Sequence, residues 1–345
     1  MAMINLMNDY NSPAHPAVIK AIESALGTRY EGYGHDEETE TAKRLIQDLI
    51  ADSHASVHFM SSGTQTNLVA INAFLRPHEA VIAPSSAHIN VHEAGAIEAV
   101  GHKILAAETH DGKIRPDQIQ EIVSAHGNEH MVKPCLVYLS QTTEYGTVYT
   151  HEELLALRRV CDASGLLLYI DGARIGYALT SEKCDFTLQD IAGLADTFYI
   201  GGTKNGLLFG EALVIVNPLL QTDFLHLMKQ AGALTAKGFL LGIQYRAILK
   251  DGLYFALAKH ANKMASKLSD GLRELGYSFE VDTESNQVFP IVCDDHIESL
   301  KQHITFEIWN HLNDTVSSIR LVTTWETTET EIEQVLGIFS ANEIV

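Results

Sequence analysis

Three short stretches of the sequence place reactive side chains where chemistry is feasible. In GLLLYIDGAR, residues 165 to 174, an apolar run without alternation reads as a strand buried on both faces, and Asp171 falls just past its end. That edge of an open parallel sheet is where ligands bind, and a carboxylate there calls for a cationic partner. In TFYIGGTKNG, residues 197 to 206, Lys204 follows a second buried strand in a Gly-rich turn between Thr203 and Asn205. A lysine desolvated by apolar walls loses proton affinity and becomes a nucleophile toward an aldehyde. In FMSSGTQTN, residues 59 to 67, Ser62, Gly63 and Thr64 open a helix whose free N–H groups and hydroxyls suit an anion such as phosphate. Each stretch alone has a plainer reading: Asp171 caps a turn with Gly172 or pairs with Arg174, Lys204 binds backbone carbonyls, and Ser62 is an ordinary helix cap. Together they form one device, with a cradle for a phosphate, a carboxylate for a ring nitrogen and a lysine for an aldehyde. That is how pyridoxal 5'-phosphate (PLP) is held.

The elements that must position these residues follow a βα rhythm from about residue 13 to 240, the pattern of a mainly parallel sheet covered by helices. Strands are expected at Ala80–Ala83, Lys103–Leu105, Cys135–Leu139, Leu166–Ile170, Thr197–Ile200 and Ala212–Val216. Helices are expected at Glu38–Ala51, Thr64–Phe74, Pro116–His126 and His151–Ser164, the last opened by a Thr150/Glu153 capping pattern and ended before Gly165. From about Gly238 one long helical stretch runs to Leu275, and two or three strands and two helices follow, the last at Glu329–Ser340. The expected division is an N-terminal arm (1–12), a large α/β domain (13–240) and a small C-terminal α+β domain (241–345).

Composition narrows the function classes. A net charge of −20 argues against a nucleic-acid partner, and no apolar run is long enough to span a bilayer. The N-terminus lacks a basic region followed by an apolar stretch, and the four cysteines, Cys135, Cys161, Cys184 and Cys293, are scattered with no CxxC pair. They read as buried thiols of a reduced, cytoplasmic compartment. Histidine is plentiful, at 17, but forms no HExxH or tight cluster, so no metal is expected.

The motifs SSGT, AHINVHEAG, YIDGAR and GGTKNG, in this order and spacing, resemble the threonine aldolase and β-eliminating lyase family of fold-type I PLP enzymes over about residues 4 to 330. The stretch SQTTEYGTVYT and the TKNG lysine motif are most similar to the low-specificity threonine and phenylserine aldolases. The resemblance implies the fold-type I PLP-dependent transferase-like α/β fold, with a smaller C-terminal α+β domain. It implies Lys204 as the lysine bound to the cofactor aldehyde, Asp171 as partner of the ring nitrogen, Ser62, Gly63 and Thr64 at the phosphate, and His88 stacked on the ring with Glu93 nearby. Arg174 and Arg320 resemble the two arginines that grip a substrate carboxylate, for which a planar fork is suited. In this family a neighbouring subunit completes the site, and Tyr33, Lys229 and Lys237 match its tyrosine and its two basic residues, implying a homodimer or homotetramer with shared sites.

Three departures stand out. Asn8 replaces a serine before Asp9, so an amide would make that serine's carboxylate contact; Thr203 replaces a serine before the lysine; and Thr143 stands where many members carry a second histidine near the substrate hydroxyl. Threonine is no base at neutral pH, which leaves the β-hydroxyl proton to His88, His35 or a water. The implied reaction is cleavage of a β-hydroxy-α-amino acid (L-threonine, L-allo-threonine or a phenylserine-like acid) to glycine and an aldehyde. The alternatives are β-elimination or transamination of a small amino acid on the same scaffold and, more remotely, a non-catalytic PLP-fold binding protein.

Overall fold

The computed structural model describes residues 3–341; residues 1, 2 and 342–345, which belong to the expected arm and small domain, lie outside the described residues. Strand β1 (Ile4–Asn5) is followed by the strands of a seven-stranded sheet: β2 (Ser56–Met60), β3 (Glu79–Pro84), β4 (Ile104–Ala107), β5 (Lys133–Ser140), β6 (Leu167–Asp171), β7 (Thr197–Gly201) and β8 (Glu211–Ile215). Their spatial order is β2-β8-β7-β6-β5-β3-β4. Strands β4, β3, β5, β6 and β7 pair in parallel, whereas β8 runs antiparallel to both β7 and β2.

The sheet is buried on both faces, as its unalternating apolar runs require. Val137, Leu139, Leu168, Ile170, Phe198 and Ile200 enter one core, while Leu136, Tyr138, Tyr169, Tyr199 and Leu213 enter the other. Asp171 is the last residue of β6, one position earlier than the sequence pattern suggests. Strand β2 escaped the sequence reading because its Ser56 and His58 interrupt the apolar run.

The helix His151–Ser164 has the expected reciprocal cap, with Glu153 N–H donating to Thr150 Oγ1 and Thr150 N–H to Glu153 Oε2, and it ends at Gly165 with φ 64°. The expected single helix to Leu275 is instead two, Phe239–Leu249 and Leu253–Glu274. Asp251 (φ 54°) and Gly252 (φ 72°) take left-handed backbone between them, which an α-helix cannot accommodate.

Beyond these helices, β9 (Gln287–Val288), β10 (Ile291–Cys293), β12 (Glu307–His311) and β13 (Val316–Val322) form an antiparallel sheet around β13. The short β11 (Ile304–Thr305) pairs in parallel with β1. Ile4 and Leu6 thus enter the C-terminal core with Leu268, Ile319 and Phe339, so the first strand is built into that core. Of the cysteines, Cys135 and Cys161 are buried, but Cys184 is half-buried and Cys293 exposed, correcting the expectation of four buried thiols. Cys293 closes a short strand beside the helix Asp294–Leu300 and faces outward. Among the described residues no helix is long and apolar enough to cross a membrane.

Two glycines let the turns after β6 and β7 touch. Gly201 N–H donates to Gly172 O at 2.9 Å, and a Cβ on Gly172 would stand 1.7 Å from the Tyr199 carbonyl oxygen. Gly172→Ala should therefore destabilise the fold by about 3 kcal/mol, since neither strand can yield in a packed core, read as a lower urea midpoint at unchanged m-value.

Candidate active site

The C-terminal ends of four neighbouring parallel strands converge on one edge of the sheet. The loop after β3 carries His88, the loop after β5 carries Glu144, the turn after β6 carries Arg174 behind Asp171, and the turn after β7 carries Lys204. Strand β2 ends at the same edge and leads into Ser62–Thr64, and Glu211 opens β8 there. A cavity of about 220 Å³ lies between them, lined by Ser62, Gly63, Thr64, His88, Asp171 and Lys204 among others. A second cavity of similar volume adjoins it, lined by Tyr10, His88, His92, Glu144, Arg174, Lys204, Glu307 and Arg320.

Asp171 is buried and accepts four hydrogen bonds. Tyr138 Oη (2.5 Å) and Asn67 Nδ2 (3.1 Å) donate to Oδ2, while Tyr199 Oη (2.6 Å) and Ala173 N–H (3.0 Å) donate to Oδ1. Burial alone would raise its pKa, but the His88 charge and these donors hold the carboxyl below its ordinary range. Asn67 also donates to Glu93 Oε1 at 2.8 Å, and the same oxygen meets His88 Nδ1 at 2.8 Å. The chain of bonds fixes the His88 ring relative to Asp171.

Lys204 sits half-buried between the two cavities, where burial and the Arg174 charge push its amine below the usual lysine range. Beside it Glu211 is buried, accepting Gly202 N–H at 3.0 Å, and burial pushes its carboxyl up to about 7. Helix Gly63–Phe74 is capped by Ser62 Oγ on Gln65 N–H, and the Gly63 and Thr64 N–H groups ahead of it have no intrahelical partner, on residues that line the cavity. A Cβ on Gly63 would lie 3.2 Å from Tyr199 Oη, so glycine keeps the helix end close to the site floor.

Arg174 forms a bidentate pair with buried Asp9, Nε to Oδ2 at 2.7 Å and Nη2 to Oδ1 at 3.0 Å, which occupies one edge of its fork. Arg320, on β13, bonds Glu307 through Nη2 at 2.5 Å and lies over the Trp309 ring at 4.8 Å, with its buried Nε unpartnered.

Other expected residues lie elsewhere. Glu93 is buried behind His88 and orients it, with no place on the cavity wall. Thr143 bonds Thr147 Oγ1 (2.7 Å) and Asp111 O (3.2 Å), and Asn8 accepts Tyr10 N–H; neither lines either cavity. Tyr33, His35, Lys229 and Lys237 are exposed and outside both cavities, with Lys229 Nζ 4.2 Å from the Tyr33 ring centre. The sequence reading missed Tyr138 and Tyr199, which fall within expected buried strands, Asn67, the last residue of FMSSGTQTN, and Tyr10, Glu144 and Glu211. For Glu144 a signal existed, since it neighbours Thr143 in the loop already singled out.

This donor set fits PLP: open helix N–H groups for a phosphate, an ionised buried carboxylate for a protonated ring nitrogen, and a lysine of lowered pKa, all on one cavity. The β-eliminating lyase family model matches residues 5–295, and the chain belongs to that family of PLP-dependent lyases. It is 33% identical to the low specificity L-threonine aldolase of Pseudomonas aeruginosa over 297 residues, covering 85% of this chain and 86% of that one. To the enzyme of the same name from a Pseudomonas species it is 32% identical over 331 residues, 95% of this chain and 94% of the other. The solved structure of Leishmania major threonine aldolase superposes with a TM-score of 0.96 at 44% identity, covering 98% of this chain and 99% of that one. The serine palmitoyltransferase of Sphingomonas wittichii, at 17% identity and a TM-score of 0.76 over 98% of this chain and 86% of that one, shares the fold.

The Asp9–Arg174 pair has a pH signature. Burial would raise Asp9, but Arg174 and Lys204 hold it at about 2 against 3.8 in a free chain. A folded-state pKa below the unfolded one gives stability that is present above about pH 4 and lost as pH falls toward 2, about 2 kcal/mol in all. Asp9→Asn should cost about 3 kcal/mol at neutral pH by leaving Arg174 buried without a counter-ion. Its deficit relative to the parent should shrink steadily in urea titrations taken below about pH 4.

Proposed function

We propose that this chain is a threonine aldolase that cleaves a β-hydroxy-α-amino acid, such as L-threonine, L-allo-threonine or a phenylserine-like acid, to glycine and the matching aldehyde. The observation that carries the reading is the second cavity, where Lys204 is flanked by two arginines, Arg174 and Arg320, from different parts of the fold. That is room for one α-amino acid with its carboxylate in a two-sided clamp and its side chain toward His88, His92 and Glu144. The names of the Pseudomonas and Leishmania relatives support the same activity.

In this reading the free N–H groups of Arg320 and the free edge of Arg174 take the carboxylate, which would fix the bond at Cα that is presented for cleavage when the cofactor is bound. Orientation of this kind can supply several kcal/mol of the barrier. Asp171, held ionised by Tyr138 and Tyr199, keeps the ring nitrogen protonated. When bound, PLP supplies an electron sink for the pair released from the Cα–Cβ bond. Lys204 serves as the amine that anchors the cofactor and moves protons at Cα. With each of L-threonine, L-allo-threonine and phenylserine, the PLP-loaded protein should release glycine and aldehyde in equal amounts, and the Lys204→Ala variant should release none. A 2-oxo acid with ammonia would instead place the enzyme on the eliminating or transaminating branch.

The active form in this reading is a cytoplasmic homodimer or homotetramer with shared sites. Tyr33, Lys229 and Lys237 form an exposed aromatic and cationic patch outside their own chain's cavities, suited to a neighbour's phosphate. The four free cysteines support a reducing compartment. Mixing inactive Lys204→Ala with weakly active Lys229→Ala after reversible dissociation should recover activity, because one hybrid site carries neither substitution. Activity that stays at the average of the two parents would show that each site is completed within one chain.

A further inference from the structure

The two cavities meet, and five residues line both: Tyr10, His88, Glu144, Arg174 and Lys204. Any atom of a substrate that reacts with the cofactor must sit at this junction. Of the five, Glu144 alone is a carboxylic acid. It is buried, and its fixed oxygen is Oε1, which accepts Ser140 Oγ at 2.7 Å and the His88 backbone N–H at 2.9 Å. No other described residue donates a hydrogen bond to Oε2, which leaves that oxygen for whatever enters the cavity. The neighbouring Thr143 is turned away and tied to Thr147 and Asp111, so this loop delivers Glu144 to the junction in its place.

We propose that Glu144 takes the proton of the substrate β-hydroxyl during cleavage, an assignment that rests on the aldolase reading. The O–H bond breaks with its proton passing to Oε2, and the oxygen's electron pair closes the C=O bond of the departing aldehyde. The Cα–Cβ pair stays on Cα and enters the electron sink. Lys204 then protonates Cα, and the proton held by Glu144 returns to Lys204 through solvent, so glycine and aldehyde together carry every atom of the substrate.

The surroundings suit a base. Burial pushes the Glu144 carboxyl above its ordinary range against the Ser140 bond, and nearby Asp171 pushes it further the same way, whereas His88 lowers it. A raised carboxyl is a stronger base, once ionised, than an ordinary carboxylate. The charged and titratable groups on the walls of the two cavities around it are His88 and His92 after β3, Asp171 at the end of β6 and Arg174 after it, Tyr199 on β7 and Lys204 after it, Glu211 at the start of β8, Glu307 on β12, Arg320 on β13 and Tyr10 from the N-terminal segment. The rival His88 already has Nδ1 bound to Glu93, an arrangement that orients a ring for stacking.

The test is Glu144→Gln in the PLP-loaded protein, where the amide oxygen can still accept the Ser140 and His88 bonds. Cleavage of L-threonine and phenylserine should fall at least about 100-fold in kcat, the usual contribution of a general base. Exchange of the glycine α-proton with solvent deuterium should be unchanged, because glycine has no β-hydroxyl. The acid limb of the kcat/KM profile should vanish in Glu144→Gln and return in part in Glu144→Asp. In the cofactor-free protein, one carboxylic-acid infrared band that titrates in the parent should be missing from Glu144→Gln. Equal losses of cleavage and exchange would make Glu144 structural, and undiminished cleavage would return the role to His88; either result overturns the proposal. A parent enzyme that exchanges glycine but releases no aldehyde would overturn the aldolase reading, and this inference with it.

Discussion

Holding an ionised carboxylate inside the sheet is the constraint on which the rest of this site depends. Asp171 is buried, and an unpaired buried charge costs several kcal/mol, so it persists as an anion through its four donors. Those donors come from β5, from β7, from the helix Gly63–Phe74 and from the turn after β6, so the carboxylate fixes the relative placement of four elements. The Tyr138 and Tyr169 rings, on adjacent strands, stack at 5.6 Å, and Tyr169 Oη donates to the Asn67 carbonyl. The layer beneath the site is thus buried and tied together by side-chain hydrogen bonds. Asp171 lines the cavity, where its charge would meet a protonated pyridine nitrogen.

Charge balance explains the rest of the lining. The protein carries a net charge of −20, yet the site gathers Lys204, Arg174 and Arg320 within one small space. Their mutual repulsion is visible in the lowered pKa of Lys204 and Arg320, for both of which burial comes first and Arg174 second. Asp9 and Glu307 offset it without closing the clamp: each holds part of a guanidinium fork and leaves other N–H groups free. His92 follows the same logic, since burial, His88 and Arg320 all hold it below the ordinary histidine range. It stands in the substrate cavity as a neutral ring near Trp309, with centroids 6.2 Å apart, and forms a wall suited to an uncharged side chain.

Much of this was legible in the sequence, and the missing parts share a physical reason. Apolar runs that end in a chemically distinctive residue revealed β6 with Asp171 and β7 with Lys204, because both faces of a parallel sheet are covered and the pattern has no other explanation. Tyr138 and Tyr199 were read as core, which they are; that their hydroxyls point at one carboxylate depends on strand order, which no periodicity encodes. Ala94 and Tyr33 take left-handed backbone without a glycine to announce it, and the break at Asp251–Gly252 looked like the middle of an amphipathic helix. The choice between Thr143 and Glu144 turns on a single position in a loop. Sequence can say that a loop reaches the site, but which residue faces inward is decided by hydrogen bonds to Asp111 and Thr147, far away or unpatterned in the chain.

The two arginines of the proposed carboxylate clamp belong to different parts of the fold, Arg174 to the turn after β6 and Arg320 to β13, and the N-terminal segment couples them. Strand β1 pairs with β11 in the C-terminal core, and a few residues later Asp9 reaches Arg174 in the large sheet's edge and accepts Asn286 Nδ2 at 2.9 Å from the segment before β9. A shift of the C-terminal sheet would therefore move Arg320 directly and Arg174 through Asp9, and the carboxylate position would follow both. This makes reaction choice on a shared scaffold a matter of angle. The lysine, the buried aspartate and the electron sink are common to aldol cleavage, elimination and transamination, and the bond that breaks is the one the clamp sets perpendicular to the ring. In the proposed reaction, what favours Cα–Cβ cleavage is then a clamp held at one angle by Asp9, Glu307 and the packing of β1, together with Glu144 as proton acceptor at the junction of the two cavities.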